Sequence, residues 1–282
     1  MKKLLLFAVA LCLSFTFQAQ VTTPQPSPFS KVEQKVGLTD ITLEYSRPGV
    51  KGRKIFGDLV PFGKLWRFGA NKNTTITFSD AFTFAGQNVK AGSYAIYAIP
   101  GESLWEIYLY SDTNNWGNPE TWDESKVVAI AKVEAYPVPF NVETFTLDIN
   151  NISNGGGTLE MIWEKTYLAV PIEVPTDDKV LASINDALNG TPTSNDYYSA
   201  AVYYLQENKD MKQAKEWIDK AIGMEEKPQF WKLRQQSLIY AKDGDTKGAI
   251  EIAKKSLEAA KEAGNDDYVK LNMDSLKEWG AM

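Results

Sequence analysis

The sequence predicts a β + α chain of two domains, in which an antiparallel β-sandwich or jelly-roll-like domain precedes an α-helical domain. From about Val32 to Val174, short runs rich in β-branched and aromatic residues are separated by Gly, Pro, Asn and Asp. Many short strands at such close spacing are typical of sandwiches and jelly rolls. After Pro175, apolar residues recur at helical spacing instead. We therefore predict domains over residues 21–174 and 175–282.

Individual strands are predicted where polar and apolar residues alternate. The run Thr39–Tyr45 alternates, and Ser93–Ile99 is followed by the turn signal Pro100-Gly101 and a return strand at Trp105–Tyr110. The other predicted strands are Thr74–Phe78, Phe82–Phe84, Val127–Val133, Glu143–Ile149 and Thr158–Glu164. We expect Tyr167–Val174 to add an edge strand, with Pro171 marking its limit, because proline cannot donate a ladder hydrogen bond.

The second domain is predicted to contain six helices with an internal repeat. The predicted helices are Asp177–Leu188, Ser194–Glu207, Met211–Met224, Pro228–Lys242, Lys247–Ala263 and Asp266–Trp279. The segment Asp210–Ile222 aligns at an offset of 35 with Asp245–Leu257, and small residues recur at matching positions. This period is near that of tetratricopeptide repeats, and the helical domain resembles a short tetratricopeptide-like array. Such arrays commonly bind a protein partner, which we expect here too.

The N-terminus has the form of a secretory signal peptide, predicted over residues 1–20. Lys2 and Lys3 precede an apolar run from Leu4 to Phe17, and Ala19 offers a small residue for cleavage. A membrane anchor is the less favoured alternative, because the run is shorter than the ~20 residues that span a bilayer. We expect an exported protein, periplasmic or secreted, without an integral membrane segment.

The composition excludes several chemistries. The chain has no histidine, and its one cysteine, Cys12, lies inside the predicted signal peptide. The mature chain could therefore form no disulfide, no Cys/His zinc site and no Ser-His-Asp triad. We expect no cofactor. The expected net charge of −8 after cleavage also argues against nucleic acid as a partner, since phosphate binding needs clustered positive charge.

One segment concentrates positive charge, and we call Tyr45–Asn71 the basic loop. It contains three of the four arginines of the chain, interleaved with glycines, prolines and aromatics. Residues 25–72 carry nine basic and four acidic side chains. An arginine fork binds carboxylates and phosphates through paired hydrogen bonds, and glycine-rich backbone can approach an anion closely. The basic loop therefore predicts an anion-binding site.

The residues proposed for this ligand site are Arg47, Lys51, Arg53, Arg67, Trp66 and Asn71, the last two shaping the pocket. No metal ion is expected there. An alternative is structural: the cations pair with carboxylates of the same chain and hold the loop against the sandwich. In a third arrangement, these side chains never converge.

A series of motifs extends through and beyond the basic loop. They are Pro26–Pro28, Gln34–Gly37, Tyr45–Gly57, Val60–Gly63, Trp66-Arg67, Gly69–Asn71, Ala91–Tyr94 and Ile99–Gly101. Together they resemble the bacterial family called domain of unknown function 2911, over roughly residues 25–170. The resemblance implies an exported envelope protein, often with tetratricopeptide-like helices appended. It implies no activity, because the family has no settled one.

Two further patterns favour structural roles over binding. Asp112–Asp123 begins like an EF-hand loop, but Trp116 and Asp123 stand where calcium loops place other ligands, so a polar loop is expected. A second set of residues could form a sugar-stacking platform, although aromatics at strand spacing more often lie in the core. This set is Trp105, Trp116, Trp122 and Trp163.

The favoured function is an exported, non-catalytic binding or scaffold protein of the cell envelope. In this hypothesis the helices recruit a protein partner and the basic loop holds a small anionic ligand. The rival hypothesis is a hydrolase of polysaccharide or peptidoglycan that works through Asp and Glu. Its candidate carboxylates, to which the sequence assigns no catalytic role, are Glu102, Glu106, Asp112 and Glu160. A third hypothesis is a building block of a surface assembly.

Overall fold

The structure is a computed structural model that describes residues 23–282. The chain divides into two compact units, one that ends at Thr176 and one that spans Asp177–Met282. The predicted signal peptide lies outside the described residues. Across residues 23–282, no helix is both long and apolar enough to cross a bilayer.

The first unit consists of two antiparallel sheets. Its strands are β1 (Phe29–Val36), β2 (Thr39–Ser46), β3 (Thr74–Phe78), β4 (Phe82–Phe84), β5 (Gln87–Val89), β6 (Gly92–Ile99), β7 (Leu104–Tyr110), β8 (Val127–Glu134), β9 (Tyr136–Asn150) and β10 (Gly156–Glu173). One sheet has the order β1-β2-β3-β6-β7-β8, and the other has the order β5-β4-β10-β9. A short 3-10 helix, Glu124–Lys126, precedes β8.

The two sheets bury a shared core because one side chain in two points inward along their strands. In β2, Ile41, Leu43 and Tyr45 are buried while the intervening Asp40 and Glu44 are exposed. The Tyr45 hydroxyl donates to the Leu147 carbonyl of β9 at 2.9 Å and accepts its N–H at 3.0 Å. A buried tyrosine on one sheet thus completes the backbone hydrogen bonding of the other.

Strand β1 was not predicted from the sequence. It pairs along its whole length with β2, from Phe29 opposite Ser46 to Val36 opposite Thr39. Lys31, Glu33 and Lys35 point to solvent, and these charges conceal the apolar alternation. Charged side chains are a common protection of edge strands, which is the position that β1 occupies.

The predicted edge strand Tyr167–Val174 is wrong as an edge. These residues continue β10, which lies between β4 and β9 in the four-stranded sheet. Near Glu164, which has a φ of +53°, the register with β9 shifts. This irregularity bends one long strand, and the sequence pattern separates it into two. Pro171 lies inside the strand, where its carbonyl accepts the Ala85 N–H at 3.0 Å.

The second unit contains six helices within the described chain. They are α1 (Thr176–Asn189), α2 (Ser194–Gln206), α3 (Met211–Gly223), α4 (Phe230–Lys242), α5 (Thr246–Glu262) and α6 (Asp266–Glu278). The six predicted helices match these bounds within two residues. Side-chain caps explain the agreement: Asp210, Asp245 and Asn265 each accept a backbone N–H in the first turn of the helix that follows.

The repeat in the sequence corresponds to two helical hairpins, α2–α3 and α4–α5. The first helix of each pair is followed by a residue with positive φ, Asn208 or Gly244. Small residues at matching positions, Ala214 in α3 and Ala249 in α5, are fully buried. Their size allows neighbouring helices to approach closely.

Candidate functional site

The basic loop connects β2 to β3 and is bound to both sheets. Gly49 forms an isolated antiparallel bridge with Thr144 of β9, and Trp66 forms one with Ala98 of β6. Gly57 has a φ of +83°, which favours glycine. The Phe62 ring packs against it, and a Cβ at this position would lie 2.8 Å from that ring. These contacts give a glycine-rich segment a fixed path.

Trp66 carries the loop into the core. Its ring is stacked on Trp163 with an interplanar angle of 17° and a centroid distance of 6.0 Å. It also makes edge contacts with Phe56, Phe68 and Phe145. An aromatic cluster of this size fixes the position of the neighbouring Arg67 along the chain.

A cavity of about 340 Å³ opens beside this cluster. Two cations, Arg53 and Arg67, line it together with Trp66 and Trp163. The remaining wall includes Leu59, Val60, Pro48, Ser27 and Asn118. No Asp or Glu of the described residues is among the lining side chains. The cavity therefore combines two guanidinium groups with apolar walls and lacks a carboxylate that would neutralise them.

Arg67 has fewer interactions with the rest of the protein than Arg53. Among residues 23–282 its side chain forms no hydrogen bond or ion pair, and its Nε is buried without an acceptor. An unpaired buried donor costs on the order of 1–3 kcal/mol. One terminal nitrogen, Nη1, lies over Gly117, where a Cβ would be 3.1 Å away. The fold thus holds this guanidinium at the cavity without using its donors.

Arg53 is held by its own loop. Its Nε donates to the Val50 carbonyl at 3.0 Å, and its Nη2 donates to the Gly49 carbonyl at 2.6 Å. These bonds orient the guanidinium and leave Nη1 without a hydrogen-bond partner in the described chain. Arg53 has a fixed position and keeps its full charge, because carbonyl oxygens orient it without neutralising it.

The other predicted site residues lie elsewhere. Arg47 donates to the Phe145 carbonyl at 3.1 Å and to Thr146 Oγ1 at 2.7 Å, which attaches the loop to β9. Asn71 donates to Ser27 O and Ser46 Oγ, at 3.1 and 3.2 Å. Lys51 is exposed, and its backbone N–H donates to Glu143. Of the six residues, the cavity brings together Arg53, Arg67 and Trp66.

The cavity also includes residues that sequence reasoning missed. Asn118 donates to the Leu65 carbonyl at 2.7 Å and so closes one side, and Ser27 and Trp163 enter from distant segments. The turn residue Gly117, with a φ of +96°, was the one local signal nearby. Its relation to Arg67 depends on the tertiary structure and cannot be read from spacing.

The EF-hand-like segment is a polar loop. Asp112 pairs with Lys126 at 2.9 Å and accepts the Asn114 N–H at 3.1 Å. Asp123 caps the 3-10 helix by accepting from Ser125. The hydrogen bond from Lys126 is the main reason that the pKa of Asp112 is lowered. Within the described chain, no group of three or more Asp, Glu, His or Cys is arranged to hold a metal ion.

The four tryptophans of the suggested platform do not share a surface. Trp105 and Trp163 are each 1% exposed and belong to the inter-sheet core. Trp122 packs instead against tyrosines on the other face of the six-stranded sheet, and Trp116 is 73% exposed. The structural interpretation is therefore right for the two core residues.

The candidate carboxylates of the hydrolase hypothesis lie away from the cavity. Glu106 accepts from the Tyr108 hydroxyl at 2.5 Å and pairs with Lys132, which together lower its pKa. Glu160 accepts from Asn150 and Asn151 at the end of the four-stranded sheet. A general acid needs a raised pKa, which the surroundings of Glu106 oppose.

Comparisons with known proteins place the first unit in a family. A family model described as "Protein of unknown function (DUF2911)" matches residues 27–172, which is more than half of the chain. Neither the curated proteins nor the solved structures contain a match to the chain. The match covers all strands from β1 to β9, all but the last residue of β10, and the whole basic loop. The chain therefore belongs to the DUF2911 family of proteins of unknown function.

Proposed function

We propose that this protein is a binding protein that holds a small anionic ligand in the cavity of the basic loop. The observation that carries the proposal is the pair Arg53 and Arg67, which line one cavity with no Asp or Glu among its described lining residues. Positive charge that is not neutralised inside the fold attracts an anion, and fixed guanidinium groups need little reorganisation to bind it.

The structural alternative explains Arg47 but not Arg67. Arg47 holds the loop against β9 through a carbonyl and a hydroxyl, which is a purely structural use. Arg67 forms no such contact within the described residues, and its buried Nε lowers stability without compensation. A ligand that accepts hydrogen bonds from its terminal nitrogens would pair the guanidinium charge, which no carboxylate of the described residues does.

The remaining parts of the proposal concern location and the second unit. We propose that the chain is exported to the cell envelope by the predicted signal peptide, and that α2–α5 form a tetratricopeptide-like scaffold that recruits a protein partner. The two helical hairpins and their 35-residue repeat support the scaffold. The jelly-roll-like topology of the first unit is also a proposal, supported by its two antiparallel sheets.

Thermal unfolding with a panel of anions tests the binding function. Acetate, phosphate, sulfate and phenylacetate are added to the full mature chain and to the variants Arg67→Gln and Arg53→Gln. At a ligand concentration 100 times Kd, binding to the native state contributes about 2.7 kcal/mol, which raises Tm by several degrees. We expect at least one anion to raise Tm in the wild type, with a smaller rise in both variants.

Lys51→Gln is the matched control. It removes the same charge from the same loop, but Lys51 is exposed and does not line the cavity. The control should keep the full anion-dependent rise. If Lys51→Gln and Arg67→Gln reduced the anion-dependent rise in Tm equally, the effect would reflect the net charge of the loop and not this cavity. If no anion raised the Tm of the wild type, the proposal would be contradicted.

The hydrolase hypothesis stays a prediction that no observation at the cavity favours, since its described lining has no carboxylate. Export has a separate test, the intact mass of the protein recovered from an expressing bacterium. We expect a chain that begins near Gln20, and retention of Cys12 would contradict cleavage.

A further inference from the structure

The cavity is larger than a simple anion requires. Its volume is about 340 Å³, and a water molecule occupies about 30 Å³ in the liquid, so the space corresponds to about ten waters. Inorganic phosphate or a lone carboxylate group would fill a small part of it. Sites for small organic molecules begin at about this size. The volume therefore indicates a ligand with a body as well as a charge.

The walls that face this volume are apolar. Trp66 uses its indole N–H on the Gly69 carbonyl at 3.2 Å, and Trp163 uses its own on the Glu143 carbonyl at 3.3 Å. Both indoles have thus satisfied their donors inside the protein. Trp66 is partly exposed and offers carbon surface to the cavity, whereas Trp163 is only 1% exposed. Leu59, which is 47% exposed, and Val60 add aliphatic surface.

The charged groups of the cavity, Arg53 and Arg67, are donors only. Arginine has no acceptor atoms, and Arg67 has no internal partner among the described residues. A ligand that satisfies these guanidinium groups must carry acceptor oxygens with negative charge at one end. The partly exposed Trp66 ring and Leu59 favour a flat or branched apolar group at the other end.

We infer that the cavity binds an organic anion in which one carboxylate or phosphate group is attached to a compact apolar body. This inference rests on the proposed anion-binding function and specifies the ligand class. The anionic group pairs with Arg67 and Arg53, and the apolar body lies against Trp66 and Leu59. A carboxylic acid and a phosphate monoester share this chemistry, so each is a separate arm of the test.

Calorimetric titration of the full mature chain distinguishes these ligands. The probes are phenylacetate, phenyl phosphate, acetate, inorganic phosphate and the neutral benzyl alcohol. We expect phenylacetate or phenyl phosphate to bind at least tenfold more tightly than acetate or inorganic phosphate. The tighter of the two aromatic anions identifies the charged group. Benzyl alcohol should bind at least tenfold more weakly than either.

Leu59→Ser tests the apolar contact, with Phe62→Ser as the matched control. Both side chains are partly exposed on the same loop, at 47% and 38%, but only Leu59 lines the cavity. We expect Leu59→Ser to weaken the aromatic anion several-fold while leaving acetate or phosphate binding unchanged. Phe62→Ser should leave both unchanged.

The outcomes separate the inference from the function on which it rests. Simple anions could bind as tightly as their aromatic counterparts, and Arg67→Gln could still weaken that binding. This result would overturn the ligand class but not the proposed anion-binding function. Absence of binding by every anion would overturn both. Benzyl alcohol that binds as tightly as phenylacetate would also overturn both, because charge would then play no part.

Discussion

The basic loop and the helical unit use cationic side chains in opposite ways. In the helical unit, lysines pair with carboxylates of the same unit: Lys209 with Asp177, Lys215 with Asp245, and Lys232 with Glu225. In the basic loop, Arg47 and Arg53 donate to uncharged oxygens, and Arg67 has no partner among the described residues. These three lysine charges are neutralised by carboxylates, whereas the three arginine charges have no carboxylate partner in the described chain.

This difference separates the cations that we expect to stabilise the fold from those that we propose for binding. A paired lysine stabilises the native state through its carboxylate partner. Removal of the lysine leaves that carboxylate as an unpaired charge, which destabilises the fold. An unpaired arginine at a cavity gives no such benefit to folding. Substitution of a paired lysine of the helical unit and substitution of Arg67 should therefore have opposite consequences for stability and for anion affinity.

The largest expected effect on stability belongs to Lys232 in α4. Its ammonium group is in a buried side chain, hydrogen-bonds Glu225 and Asn195, and lies 5.3 Å from the Tyr198 ring centroid. We expect Lys232→Met to lower the free energy of unfolding by about 3 kcal/mol, because Glu225 loses its counter-ion. Urea unfolding of the helical unit, followed by far-ultraviolet circular dichroism, measures this loss.

The matched control is Lys270→Met in α6. The Lys270–Asp274 pair is exposed at both ends and should contribute less than about 0.5 kcal/mol. Similar losses at Lys232 and Lys270 would show that the helical unit does not depend on internal neutralisation.

Within the basic loop, Arg47 and Arg67 should respond differently to the same change. Arg47→Met leaves the Phe145 carbonyl and the Thr146 hydroxyl without their donor, so we expect a loss of about 1–3 kcal/mol with no change in anion affinity. Arg67→Met removes a buried, unpaired donor and should leave stability unchanged or slightly higher while strongly weakening anion binding. Denaturant unfolding and calorimetry on both variants measure this pair of effects, and a reversed order would contradict the assignment.

A smaller effect is expected at Gly117, which lies against Arg67 Nη1 and is not among the residues that line the cavity. Alanine at a φ of +96° costs about 1–2 kcal/mol, and its Cβ would lie 3.1 Å from Arg67 Nη1. Gly117→Ala should therefore lower stability and weaken phenylacetate binding several-fold. Gly86→Ala is the control: its φ is +80°, nothing lies within 4 Å of the added carbon, and affinity should not change. Weakened binding in both variants would argue against a positional role of Gly117.

The smallest effect concerns pH in the helical unit. Hydrogen bonds from Lys232 and Ser194 hold the pKa of Glu225 below its ordinary value of 4.5. Since the folded pKa is lowered, this group stabilises the fold above pH 4.5 and loses that contribution as pH falls through the folded pKa. Tm of the helical unit should fall by a few degrees in this acidic window. Glu225→Gln should reduce the dependence, and an unchanged slope would rule out Glu225 as its source.

Local patterns predicted elements well where side chains act locally. The alternation in Thr39–Tyr45 predicted β2. Helical spacing predicted α3 and α5, which the side chains of Asp210 and Asp245 cap. The edge strand β1 was missed because charged residues replace the apolar alternation that would reveal it. Long-range partners could not be predicted in this way. Arg47 donates to the Phe145 carbonyl, 98 residues away, and no local sequence pattern indicates this hydrogen bond.

The site shows the same division. Clustered arginines identified the basic loop, because the local composition can be counted directly in the sequence. The cavity depends on Trp163, Asn118 and Ser27, which come from three other segments, so its lining could not be predicted. The different roles that we expect for Arg67 and Arg47 follow from their hydrogen-bond partners, which the sequence does not show.

The most direct test of the central claim follows the arginine side chains themselves. The chain contains four arginines, Arg47, Arg53, Arg67 and Arg234, so a nitrogen-15 spectrum of their Nε–H groups has four assignable signals. On titration with phenylacetate, we expect the Arg67 and Arg53 signals to shift with a common saturation curve, while Arg47 and Arg234 stay fixed. Unchanged signals at Arg67 and Arg53, or equal shifts at Arg47, would contradict an anion site in this cavity.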